Sequence, residues 1–187
     1  MSTPPGIDVA AARRGGTGAR ERLGRALWRV CRPLFAWSPA PLHGWRRGLL
    51  RAFGARIGRG VAIYPSVEIT QPWRLEIGDE SAVGPGVVLY SLAEIRLGAR
   101  VTVSQRAHLC AASRDHRRRD FRLERRPIRI GDDAWIAAEA FVGPGVSVGR
   151  GAVVAARAVA VRDVEAWVVV AGNPARPVSR REIEAAP

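Results

Sequence analysis

The sequence predicts an all-β chain wound as a parallel β-helix, with a helical extension at its N-terminal end. Three observations lead there. An aliphatic residue recurs every six positions in the C-terminal half, at Ile130, Ile136, Val142, Val148 and Val154. Glycine or alanine follows each one, at Gly131, Ala137, Gly143, Gly149 and Ala155, and a small residue stands four places on, at Ala134, Ala140, Val146, Ala152 and Ala158. The same spacing appears upstream in Ile57, Ile63 and Ile69, in Ile77, Val83, Leu89 and Ile95, and in Leu97, Val103 and Leu109. A period of six suits neither an amphipathic helix nor an alternating strand. It suits short strands joined by tight turns, one hexapeptide to each face of a triangular coil. The aliphatics then point inward and stack from coil to coil, and glycine or alanine occupies the turns where a larger side chain collides. Stacked this way, the repeats make roughly five coils. A β-sandwich is the alternative, disfavoured because the register holds over five consecutive repeats.

Taken in chain order, residues 1–18 are rich in Gly, Pro, Ala and Arg and lack the apolar core of a signal peptide. They read as a disordered lead-in, and the chain as cytoplasmic. Residues 19–56 read as a helical extension. Leu23, Leu27, Val30 and Leu34 fall on one helical face, with Arg22, Arg25, Arg29 and Arg32 elsewhere. Pro33 is expected to kink or end that helix, and Ser38-Pro39-Ala40-Pro41 to break it. Trp45, Leu49 and Phe53 make a second stripe. These helices either cap the open end of the coil stack or lie on a membrane surface through Trp28, Trp37 and Trp45 set among arginines. An exposed solenoid end needs a cap, which favours packing.

Residues 57–178 carry the coils, with two-residue slips after Ile69 and Ile95 that suit bulged corners. The stacking breaks once, over residues 110–127, an excursion holding Arg114, Arg117, Arg118, Arg119, Arg122, Arg125 and Arg126 beside His108 and His116. A long excursion from a rigid scaffold is a functional-loop candidate, although a solvated charged loop has the same composition. Residues 179–187 read as a tail.

Composition narrows the function. The chain has 187 residues, 47% of them hydrophobic, and no stretch approaches the ~20 apolar residues of a membrane span. Two cysteines, Cys31 and Cys110, argue against a disulfide scaffold or a cysteine-rich metal site. The net charge is +13, and all thirty basic residues are arginine. Such a chain attracts nucleic acid, acidic lipid or the phosphates of nucleotide-sugars and coenzyme A, and charge alone does not choose among them. No stacking motif accompanies the arginines, which argues against nucleic acid.

The segments SPAPLHGWRRGLLRAFGARIG, IYPSVEI, VTVSQRAHLCAAS, PIRIGDDAWIAAEAFVGPGVSVG and VVVAGNPARPV resemble the colanic-acid-type exopolysaccharide acetyltransferases, hexapeptide-repeat acyltransferases related to the maltose, galactoside and serine enzymes. The likeness runs from about Trp37 to Val178. It implies a left-handed parallel β-helix, a homotrimer with active sites at subunit interfaces, and acetyl-CoA as co-substrate without a metal. It implies a sugar, nucleotide-sugar or lipid-linked glycan acceptor, and work in the cytoplasm or at the inner face of the membrane. On the motif positions, Ala138 and Ala156 lie along the pantetheine arm. Val161 and Arg162 stand where such enzymes hold the nucleotide end of coenzyme A, and Pro174 and Arg176 meet its adenine and phosphates. Small residues admit a chain lying against the backbone, and arginine bonds phosphate bidentately.

The family's general base is a histidine in a segment that usually reads Ala-Ser-His-Asp. Here Cys110-Ala111-Ala112-Ser113 is followed by Arg114-Asp115-His116, so Arg114 occupies the histidine's place. Arginine is no base at neutral pH. Three readings stay open, in this order: His116 takes the proton, with Asp115 or Glu124 orienting it; His108 does so from the coil; or the chain has kept the coenzyme groove and lost turnover. A zinc hydratase of the γ-carbonic-anhydrase type is a fourth possibility on the same coil. It needs three histidines, and the chain has only His43, His108 and His116, of which His43 lies in the extension.

Overall fold

The structure is a computed structural model that describes Asp8 and residues 18–184. The expected lead-in therefore lies almost wholly outside the described residues. Helix α1 (Ala19–Ala36) and helix α2 (His43–Ala52) precede the coils. The first coil is β1 (Arg56–Ile57), β2 (Ala62–Ile63) and β3 (Glu68–Ile69), and the second is β4 (Leu75–Ile77), β5 (Ala82–Val83) and β6 (Val88–Tyr90). The third is β7 (Ile95–Leu97), β8 (Thr102–Val103) and β9 (His108–Cys110). The chain then leaves the stack as an antiparallel hairpin, β10 (Ala112–Arg114) with β11 (Leu123–Arg125). It rejoins as a fourth coil, β12 (Ile128–Ile130), β13 (Trp135–Ile136) and β14 (Phe141–Val142), and a fifth, β15 (Ser147–Val148), β16 (Val153–Val154) and β17 (Val159–Ala160). A final antiparallel pair, β18 (Val168–Ala171) and β19 (Arg176–Arg180), closes the far end. The expected tail is thus partly strand, because β19 runs to Arg180 along β18.

Corresponding strands of successive coils pair in parallel and form the three walls of a left-handed prism. The first wall stacks Ile57, Ile77, Leu97, Ile130 and Val148 in register. The second stacks Ile63, Val83, Val103, Ile136, Val154 and Val170. The third stacks Ile69, Leu89, Leu109, Val142 and Ala160. All of these are buried. Coils one and two are each two residues longer than coil four, since Ile57 pairs with Ile77 and Ile77 with Leu97 while Ile130 pairs with Val148. The extra residues lie at a stacked corner. A 3-10 turn at Pro72–Arg74 forms it in the first coil, and buried Ser91 bonds Gln71 through both its backbone groups there. Ile95 is therefore not the sixth-residue successor of Leu89. It begins β7, pairs with Leu75 and Ile128, and leaves the register position to Leu97.

The helices close the N-terminal end of the prism, but not through the expected face of α1. Leu23, Leu27, Val30 and Leu34 are exposed, and Trp28 and Phe35 are the buried residues. Trp28 packs edge-on against Phe35 and Phe53 and donates its indole N–H to the Ile69 carbonyl at 2.8 Å. Aromatic bulk with one donor fills the wide mouth of the coil better than the leucines do. The helix also continues past Pro33 to Ala36, because a proline in the last turn removes only one intrahelical bond. In α2, Leu50 and Arg46 are buried, while Leu49 and the residue after the helix, Phe53, pack at the edge of the core and Trp45 stays half exposed.

Among the described residues Arg46 has no carboxylate partner. Its guanidinium donates to the carbonyls of Ile63, Pro39 and Ala40 and to Ser38 Oγ. It also donates to His43 Nδ1, which accepts a second bond from the Ile63 N–H. His43 Nδ1 also lies 3.0 Å from the Ile63 carbonyl, so the ring sits against both backbone groups of Ile63. The histidine joins the helices to the second wall.

Candidate active site

The hairpin that leaves the third coil folds beside the corner that follows the third wall. A cavity of about 460 Å³ lies there, lined by residues from both, including Ser113, Asp115, His116, Gly143 and Val161. Pairing within the hairpin does not bring His116 near Val161. The coil does so, because β14 and β17 stack directly above β9 and set the corners at Gly143 and Val161 beside the hairpin base. Arg126 closes the approach: its N–H bonds the Ala111 carbonyl, and its side chain covers Gly145, which has no Cβ to push it away.

His116 is exposed and makes no hydrogen bond among the described residues. Asp115 does not orient it; its Oδ1 accepts the Arg117 backbone N–H at 3.0 Å, a local turn contact. Glu124 is held by Arg126 at 2.8 Å. Arg114, at the place of the family histidine, clasps the hairpin instead. It donates to the Phe121 carbonyl at 2.9 Å and lies 5.4 Å above the Phe121 ring centre.

His108 lies outside this cavity, on the outer side of β9 between Val88 and Phe141. Its ring meets Phe141 edge-on at 5.4 Å, and Nε2 is buried with no hydrogen-bond partner among the described residues. Burial pushes its pKa below the usual histidine value, and Glu68 opposes that shift only in part.

The six expected coenzyme positions divide into three places. Ala138 and Ala156 sit on successive coils at the corner before the third wall, where the Arg157 N–H bonds the Ala138 carbonyl. Val161 and Arg162 sit at the corner after it, Val161 in the cavity with His116. Pro174 and Arg176 lie at the exposed turn into β19, which is fastened to β17 by bonds between Val159 and both Gly172 and Ala175. Among the described residues Arg176 donates only to the adjacent Ala175 carbonyl, and Arg162 makes no ion pair. Gly143, Pro144 and Ser113 join the cavity without having been singled out for it. The coil period was the available signal, since Gly143 and Val161 occupy equivalent corners of neighbouring coils. Among the described residues, no three His, Cys, Asp or Glu side chains gather as metal ligands.

A left-handed β-helix of six-residue repeats, interrupted once by a histidine-bearing hairpin folded beside a small-residue corner, is the architecture of a hexapeptide-repeat protein. Residues 127–157 match the family model described as hexapeptide repeat of succinyl-transferase. A relative from Escherichia coli named as a colanic acid biosynthesis acetyltransferase, WcaF, is 45% identical over 97% of this chain and 98% of its own. A hexapeptide-repeat-containing acetyltransferase from Vibrio cholerae superposes with a TM-score of 0.81 at 26% identity, covering 91% of this chain and 98% of that one. The same protein complexed with acetyl coenzyme A gives 0.80 at 26%, covering 90% and 92%. The chain belongs to the colanic-acid-type hexapeptide-repeat acetyltransferases.

Proposed function

We propose that this chain transfers an acetyl group from acetyl-CoA to a sugar hydroxyl during exopolysaccharide assembly, as a homotrimer, with His116 as general base. The observation that carries the reading is the cavity joining His116 of the hairpin to Gly143 and Val161 of the coil corner. Neutral imidazole takes the proton of the acceptor hydroxyl, and the oxygen attacks the thioester carbon. A C–O bond forms, the C–S bond breaks, and the departing thiolate takes up a proton. The exposed guanidiniums of Arg162 and Arg176 suit the phosphates of the coenzyme. A single prism offers such a ligand one wall, and a neighbouring copy supplies the other.

Arg114 favours a competing reading, a homologue that binds coenzyme A without turnover, because the side chain in the family's catalytic position is committed to Phe121. The deciding experiment measures acetyl transfer and acetyl-CoA hydrolysis with a panel of sugars and lipid-linked glycans. His116→Ala should lower turnover by roughly 10²–10⁴-fold and leave coenzyme binding intact. Inactivity of His108→Ala with full activity of His116→Ala moves the role to His108. A large rate gain in Arg114→His, or good coenzyme binding with no turnover by any variant, establishes the lapsed enzyme. Arg162→Ala and Arg176→Ala should each weaken binding about tenfold in calorimetry. Light scattering should give a trimer mass, and a stable monomer at micromolar concentration defeats that part.

A further inference from the structure

Helix α1 has two apolar faces, and the fold uses only one. Trp28 and Phe35 point into the prism. On a separate, outward side Leu23, Leu27, Val30 and Leu34 repeat at helical spacing, and Val30 is 75% exposed. Trp37, at the helix end, is 86% exposed. Trp45 extends the patch: it is half exposed and fastened beside Leu34 by an indole bond to the Leu34 carbonyl at 3.0 Å. A contiguous row of large apolar side chains turned to water marks an interaction surface.

The charge around the row identifies what it meets. Arg20, Arg22 and Arg29 are exposed along this helix and form no ion pair among the described residues. The helix has one carboxylate, Glu21, and it is turned inward. It accepts from Gln71 at 3.0 Å and meets Arg25 and Arg74. Burial pushes the Glu21 pKa up, but the Gln71 bond and the Arg25, Arg125 and Arg74 charges outweigh it and hold the group below its usual value, ionised and engaged. The outer side of α1 therefore carries positive charge only. Two copies of this chain meeting through that side would bring their arginines together, in a protein whose net charge is already +13.

We infer that α1 docks the protein on an anionic phospholipid surface, lying in its plane with the Leu23–Leu34 row and Trp37 among the acyl chains and the arginines at the headgroups. An amphipathic basic helix with indoles at its border fits such an interface, and among the described residues no helix is long and apolar enough to span it. The inference is independent of the transferase reading, since none of these residues lies at the cavity.

The test is co-sedimentation of the full chain with phosphatidylglycerol-rich vesicles and with phosphatidylcholine vesicles. Binding should be at least tenfold stronger to the anionic vesicles and should weaken as salt rises. Val30→Glu and Leu27→Glu change exposed positions, so melting temperature should hold while vesicle affinity falls roughly tenfold or more. Arg22→Gln and Arg29→Gln should each reduce anionic binding about fivefold. Wild-type protein left in the supernatant with both vesicle types overturns the inference. So does Val30→Glu binding as well as wild type. A change of oligomer mass in Val30→Glu, with no wild-type vesicle binding, assigns the row to packing between copies and also overturns it.

Discussion

Replacing Arg46 with methionine should loosen the helical cap and leave the prism standing. Arg46 is fully buried and reaches three carbonyls, one hydroxyl and one imidazole. Methionine fills much of the same volume but donates nothing. The three carbonyls left behind are not equal. Pro39 and Ala40 are exposed residues, so their carbonyls regain water at little cost. Ile63 is fully buried, and its carbonyl loses its arginine donor. One buried orphan acceptor costs about 1–3 kcal/mol, and the freed Ser38–Pro41 connector adds to that. Removing the charge relieves a desolvation penalty in the opposite direction. With those two smaller effects opposed, the net destabilisation is about 1–3 kcal/mol, which lowers the melting temperature by roughly 2–12 °C for a chain of this size. Calorimetry at fixed protein concentration measures it. Arg46→Lys should recover only part of the loss, because one ammonium cannot span the fork of acceptors. A melting temperature unchanged in Arg46→Met, or fully restored in Arg46→Lys, refutes the reasoning.

Two further outcomes follow from the coil and its third wall. Gly149→Ala should disrupt the last coil, because a Cβ there meets Ala166 Cα at 2.7 Å; the melting temperature should fall by several degrees, and wild-type stability shows that this corner gives way freely. His108 resists protonation when folded, so the unfolded chain takes up the proton first. Its stabilising contribution is complete above the ordinary histidine pKa of 6.5 and is lost as pH falls toward the depressed folded value. Between pH 7.5 and 5.5, approximate bounds for that titration, wild type should lose melting temperature more steeply than His108→Asn. Parallel curves from the two proteins dispose of the point.

The walls of the prism were legible because each inward aliphatic is a local choice repeated at a fixed interval. Ile130 to Val154 can be read directly, and the pairing of Ile130 with Val148 follows from three hexapeptides per coil. The upstream coils were harder. Their extra corner residues interrupt the period, so Ile95 looked like a register position when it begins the strand that Leu97 completes. The hairpin was visible as a break, and its histidine with it. That His116 shares a cavity with Val161 was not, since neighbours across a coil are distant in sequence and are joined only by stacking.

The sequence by itself determined the β-helix, its number of coils, the place where it opens, and the helical character of residues 19–36. Each depends on a periodicity that a chain carries without reference to anything outside it. Tertiary structure alone decided which side of α1 turns inward. The leucine row has the stronger helical pattern, yet Trp28 and Phe35 fill the mouth of the coil, and Trp28 also supplies the N–H that the Ile69 carbonyl accepts. It likewise decided that Arg46, a charged residue in a sequence full of them, is the one buried at the cap. Burial depends on the acceptors that the fold gathers around a group, and no local pattern records them.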